Sequence, residues 1–80
     1  MKKEIKNYYL KEFEFYDGEA NLIFSIVDID FTKEEITVAL TNRGRISVIS
    51  YDLIENENGY YFEYGLYFEK IYISDFEEVI

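Results

Sequence analysis

The chain has no cysteine, no histidine and no proline among its 80 residues, and only four glycines. Without cysteine there is no disulfide framework, no thiolate metal site and no thiol nucleophile. Without histidine, acid–base chemistry would fall to Asp, Glu, Lys or Tyr, and no serine or threonine sits in a recognisable nucleophile motif. The glycines at 18, 44, 59 and 65 stand singly and never form a Gly-rich loop ahead of a helix, so the usual phosphate cradle is missing. Long apolar runs are missing too: none approaches the roughly 18 residues of a membrane span. Glu4, Lys6 and Asn7 interrupt the place where a signal peptide's apolar region would begin. These absences point to one cytoplasmic, non-enzymatic domain over residues 1–80, with no cofactor, no metal and no membrane contact.

Positive charge is scarce as well. Eight basic side chains against 17 acidic ones leave a formal charge of −9, a field that repels phosphate backbones and argues against direct nucleic-acid binding. Residues 1–45 hold nine acids and seven bases, a net −2, whereas residues 46–80 hold eight acids and Lys70 alone, a net −7. The second half is therefore the expected seat of the negative field. Asp28 and Asp30 share one side of an extended run and could share a divalent cation, but no further ligand is apparent, and a solvated polar face is the simpler reading. Arg43 and Arg45 flank Gly44 as a small basic hairpin tip.

Aromatic residues are what the chain has in quantity, with nine tyrosines and seven phenylalanines. A domain this short buries only about 60–65% of its unfolded surface, and large rings offset that deficit. Asn7–Tyr16 carries both a helical pattern (Ile5, Tyr8, Tyr9, Phe13) and a strand alternation, which aromatic enrichment and the Asp17-Gly18 turn tip toward a strand. In Asn21–Phe31 the residues Ile23, Val27, Ile29 and Phe31 share one parity, with Asp28 and Asp30 on the other, and predict a strand buried on one face near its end. Thr32–Glu34 predicts a turn, Ile36, Val38 and Leu40 a strand, Asn42-Arg43-Gly44 a hairpin turn into Arg45–Leu53, and Asn56–Gly59 another turn. Ser74-Asp75-Phe76-Glu77 matches a capping box and predicts a short closing helix from Asp75. The expected fold is mainly β: a five- or six-stranded antiparallel meander curled into a half-barrel or small barrel, ending in a short C-terminal helix.

The stretch GYYFEYGLYFEK from Gly59 is the densest aromatic segment. Read as one extended strand, it puts Tyr60, Phe62, Tyr64, Leu66 and Phe68 on a core side, and Tyr61, Glu63, Gly65, Tyr67 and Glu69 on an exposed side. The parity changes at Ile71 and Ile73, which predicts a bulge or tight bend near Glu69-Lys70. Rings between carboxylates are a poor platform for bases. They suit a protein partner instead: tyrosine supplies rigid contact area and carboxylates pair with arginines. The candidate contact residues are Glu55, Glu57, Glu63, Glu69, Asp75, Glu77 and Glu78 as charges, with Tyr61, Tyr67 and Tyr72 as anchors.

In composition and charge layout the chain resembles the small acidic inhibitors carried by phages and mobile elements, including anti-CRISPR and antirestriction proteins, some of which imitate DNA. That resemblance implies a basic host protein of the nuclease class as partner. An immunity or antitoxin-type protein covering a basic toxin is the physical equivalent. A small structural or oligomerising β domain is the other class that the sequence allows, and both monomer and homodimer are compatible with it.

Overall fold

A computed structural model describes residues 11–78, with the side chain of Glu78 left aside. The earlier helical alternative at Ile5, Tyr8 and Tyr9 lies outside the described residues. Within them the chain runs through β1 (Lys11–Tyr16), β2 (Asn21–Asp30), β3 (Glu35–Asn42), β4 (Arg45–Asp52), β5 (Ile54–Asn56), β6 (Gly59–Tyr64), β7 (Glu69–Tyr72), a 3-10 turn (Ile73–Asp75) and β8 (Glu77–Glu78). No helix among the described residues is long and apolar enough to cross a membrane.

The strands form two antiparallel sheets, one of five in the order β4-β3-β2-β1-β8 and one of three in the order β5-β6-β7. The mainly β expectation holds. A single curled meander with a closing helix does not: the chain leaves the large sheet at Leu53 to build the small one, then returns β8 to the free side of β1. The capping-box match at Ser74 falls on a 3-10 turn that precedes β8 rather than opening a helix.

Local signals explain most of the large sheet. Asp17 accepts hydrogen bonds from the backbone N–H groups of Glu19 and Ala20 at 2.9 and 3.0 Å, closing the β1–β2 turn. Arg43 and Gly44 both take positive φ, 52° and 79°, the backbone that a two-residue hairpin between Asn42 and Arg45 requires. At the β2–β3 turn, the Asp30 carboxylate accepts from the Lys33 N–H at 3.0 Å.

The core face of β2 differs from the sequence reading. Leu22, Phe24 and Ile26 are the buried residues, while Ile23 is half-buried on the opposite face and Val27 is exposed. The register shifts between Ile26 and Asp28, so Val27 is the extra residue of a β-bulge, and Ile29 re-enters the core with the other parity. The expectation holds near the strand's end, where Ile29 is buried and Phe31 packs against the core. Up to the bulge, Ile23 and Val27 stand on the outer face with Asn21 and Ser25, and alternation alone placed them inside.

The small sheet lies over this face through aromatic contacts. Phe62 meets Phe24 edge-on at 5.6 Å and stacks on Tyr51 at 4.9 Å. Tyr64 meets Phe24 at 5.2 Å and Phe15 at 6.2 Å, and Tyr60 meets Phe31 at 5.5 Å. Tyr60, Phe62 and Tyr64 thus occupy the core side as expected. Leu66 and Phe68 do not: they lie in the turn between β6 and β7, exposed to solvent. What the parity change recorded as a bulge near Glu69-Lys70 is this hairpin turn, with Tyr64 opposite Glu69.

Truncating the ring at the sheet–sheet contact, Phe62→Ala, is expected to cost about 3–5 kcal/mol, whereas Leu66→Ser changes stability by less than about 0.5 kcal/mol. Urea unfolding of both variants checks this; a large loss at Leu66 would return that residue to the core.

Candidate functional site

The β6–β7 turn holds the two most exposed large hydrophobic side chains of the described residues, and a third beside them. Leu66 is 91%, Tyr67 87% and Phe68 67% exposed. The turn is closed by a hydrogen bond from the Phe68 N–H to the Gly65 carbonyl at 3.2 Å. Gly65 has φ +82°, which glycine adopts without penalty, but Phe68 has φ +53°, a left-handed conformation that is an outlier for so bulky a residue. Such strain, of about 1–3 kcal/mol, concentrates at working surfaces. Here it is held while three consecutive apolar side chains stay in water, so neither local backbone preference nor burial accounts for the arrangement.

Beside this tip runs an open cleft of about 600 Å³ lined by Phe15, Tyr16, Asp17, Gly18, Tyr64, Leu66, Tyr67 and Glu69, among others. Its far wall is the β1–β2 turn, fixed by the Asp17 carboxylate and by the Tyr16 hydroxyl, which donates to the Gly18 carbonyl at 2.9 Å. Backbone hydrogen bonds from Ala20 and Glu19 hold the Asp17 carboxyl below its ordinary value, with nearby Arg43 adding to the effect. The cleft therefore combines an aromatic lining with carboxylates at Asp17 and Glu69.

The predicted contact residues separate in space. Tyr67 and Glu69 belong to the tip. Glu55 and Glu57 lie at the β5–β6 turn, the opposite end of β6, roughly 20 Å away at about 3.3 Å per residue. Glu63 is half-buried opposite Lys70 in the β6–β7 register. Tyr61 was expected on the exposed side and is only 8% exposed. Its ring packs on Tyr72 at 5.1 Å, with the Lys70 ammonium 5.7 Å from its centre. Tyr72 is half-buried and accepts a hydrogen bond from the Asn56 amide at 2.8 Å. Tyr61 and Tyr72 therefore hold the outer side of the small sheet together. Asp75 is exposed at the 3-10 turn, and Glu77 on β8 stands opposite Glu12 of β1.

A second feature escaped the charge count. Strand alternation puts Glu12, Glu14, Asp28, Asp30, Glu35 and Asp52 on the outer face of the large sheet, together with Glu77. Asp30 is opposite Glu35 and Glu35 is opposite Asp52, three acids side by side with no cation in register among the described residues. Like charges placed directly opposite destabilise a sheet. The first half looked nearly neutral because its cations are counted with its acids; of these, Lys33 and Arg43 lie in turns, Arg45 takes the other parity of β4 and Lys11 stands opposite Glu78, while Lys2, Lys3 and Lys6 lie outside the described residues. No group of three or more acids among the described residues is arranged to hold a metal ion.

No family model, curated protein or solved structure matches the chain.

Two outcomes follow from this geometry. Phe68→Gly relieves about 1–2 kcal/mol of left-handed strain and loses about 0.4–1 kcal/mol to the freer unfolded chain. Chemical denaturation should therefore show a stability that is unchanged or slightly higher, and a loss of several kcal/mol would mean that the ring is packed. Tyr51 titrates above its ordinary value of 10.0, first because of burial and then because of Tyr64 nearby. The folded state holds this proton more tightly than the unfolded chain, so its stabilisation is complete below about pH 10 and is lost as pH rises through the folded value. Tyr51→Phe is expected to flatten the alkaline loss of stability, measured as melting temperature against pH.

Proposed function

We propose that the protein is a non-enzymatic inhibitor that binds a basic partner protein through the Gly65–Phe68 tip and its acidic surroundings. The supporting observation is the tip itself: Leu66, Tyr67 and Phe68 displayed together in solvent on a strained turn. Binding hot spots are enriched in tyrosine, tryptophan and arginine seated in well-packed pockets and ringed by contacts that exclude water, a role that Tyr67 fits. Asp17 and Glu69 line the cleft beside the tip and suit arginine or lysine on the facing surface. The net −9 charge accelerates approach to a cationic site and makes association sensitive to salt.

Imitation of nucleic acid, in the manner of anti-CRISPR and antirestriction inhibitors, is the second reading. The row Asp30–Glu35–Asp52 favours it, because a line of adjacent carboxylates on a sheet face offers a basic groove repeated negative charge. Covering a basic toxin, as immunity proteins do, would use the same physics. The two readings use different surfaces, which makes them separable.

The test immobilises the full chain beside two variants, Leu66→Ser/Tyr67→Ala/Phe68→Ser and Glu35→Lys/Asp52→Lys, in lysate of the source cells at low and high salt. The tip reading expects one basic protein that is retained by the parent, released by salt, and bound about 30-fold or more weakly by the tip variant, a loss of about 2 kcal/mol. The activity of that protein should fall when the parent is added. Selective loss with the Glu35/Asp52 variant would instead support nucleic-acid imitation. Equal retention by all three, or a captured protein whose activity is unchanged, overturns both.

A further inference from the structure

Every open sheet has edges, and in this one they are treated unequally. On the far side of the large sheet, β8 is two residues long and both are acidic. The small sheet ends in β5, three residues, and β7, four residues that begin Glu69-Lys70. Short strands and charges are the usual protection of an edge. β4 has neither. It runs for eight residues, Arg45–Asp52, with no charge between its two ends, and nothing among the described residues pairs with its outer side. Ile46 and Val48 are 69% and 67% exposed on it.

The hydrogen-bond phase of this edge follows from the hairpin. Asn42 and Arg45 flank a two-residue turn, so they form a hydrogen-bonded pair, and with them Ser47, Ile49 and Tyr51 direct their backbone groups to β3. Ile46, Val48 and Ser50 must then direct N–H and C=O outward. These are the groups that another strand would take.

Charge selects the direction and the occupant. The strand is basic at its start, where Arg43 and Arg45 flank Gly44, and acidic at its end, where Asp52 lies opposite Glu35. Two copies laid antiparallel bring each basic end to the other's acidic end; a parallel arrangement would join like to like.

We propose that β4 is the interface of a homodimer, in which two copies pair antiparallel about a two-fold axis at Val48 and join their five-stranded sheets. In this register Val48 lies opposite Val48 of the second copy, Ile46 opposite Ser50, and Gly44 opposite Asp52, so that the basic hairpin end of each copy lies beside the acidic end of the other. Outward-directed residues meet outward-directed residues, and both cores stay on one side of the joined sheet. The repulsion between two chains of −9 acts at long range and is largely screened at about 0.15 M salt, where the Debye length is about 8 Å. The complementary ends act at contact. This surface is distinct from the tip, so the dimer and the proposed inhibitory contact stand or fall separately.

Sedimentation equilibrium of the full chain at physiological salt tests the proposal. The expected weight-average mass rises with concentration to twice the 9.7 kDa of one chain. Val48→Lys and Val48→Asp, each of which places like charges opposite one another across the axis, should each remain at 9.7 kDa. An equimolar mixture of the two should regain the doubled mass, which also shows that both variants fold. Amide hydrogen exchange supplies a second readout: Ile46, Val48 and Ser50 should become protected as the parent dimerises, while Ser47 and Ile49 are protected throughout. A parent that stays monomeric across the concentration series overturns the proposal and leaves the edge to a strand of another protein. A dimer that persists in Val48→Lys, or one that leaves the Ile46, Val48 and Ser50 amides unprotected, overturns it equally.

Discussion

Phe62 is the contact on which the rest of the structure depends. It is fully buried between Tyr51 of the large sheet, on which it stacks, and Phe24, which it meets edge-on. A three-stranded sheet whose strands run three to six residues has too little apolar surface to persist alone in water. It exists because it is laid over the large sheet, and rings on each side make that overlay. Aromatic pairs add about 0.5–1.5 kcal/mol each beyond the area they bury, and here several converge on one place. Leu53 makes the crossing possible: it is buried at the corner between β4 and β5, and its N–H donates to the Glu34 carbonyl at 2.8 Å.

Once those rings are inside, the apolar residues left outside become informative. A domain of this size benefits from every apolar side chain it can bury, yet Leu66, Tyr67 and Phe68 are carried away from the core on a turn, and Ile46 and Val48 face water on an unprotected strand. The carboxylates show a similar pattern. Glu63 is set opposite Lys70, but Asp30, Glu35 and Asp52 are set opposite one another. These features contribute little to the stability of the isolated chain, and each fits a contact with another molecule. The proposed readings assign the tip and the acidic face to a cationic partner, and the β4 edge to a second copy.

Much of this was readable along the chain wherever a local rule acts by itself. The turns at Asp17-Gly18, Thr32–Glu34 and Arg43-Gly44 follow from side-chain capping and positive φ, which involve only neighbouring residues. The strand nature of Ile36–Leu40 and the core side of Tyr60, Phe62 and Tyr64 follow from alternation. Tyr67 and Glu69 were placed at the surface by the same alternation, but Tyr67 is exposed because it lies in a turn. Alternation failed in the first part of β2, where Ile23 and Val27 stand on the outer face and a bulge at Val27 exchanges the faces midway. It failed again past Tyr64, where Gly65 opens a turn that an extended reading runs straight through. Tyr61 was misplaced because its cover comes from across the sheet, from Tyr72 and Lys70.

Composition, periodicity and turn chemistry by themselves determined that this is a small acidic β protein with an aromatic core and no histidine or cysteine chemistry. These properties depend on residue type and on spacings of a few residues, and both are written in the chain. Only the tertiary structure decided which carboxylates stand together, which rings are covered, which strand has a bare edge, and that Leu66–Phe68 forms a tip. Each of those outcomes depends on which strands become neighbours, and residues brought opposite one another across a sheet, such as Glu12 and Glu77, can be separated by most of the chain.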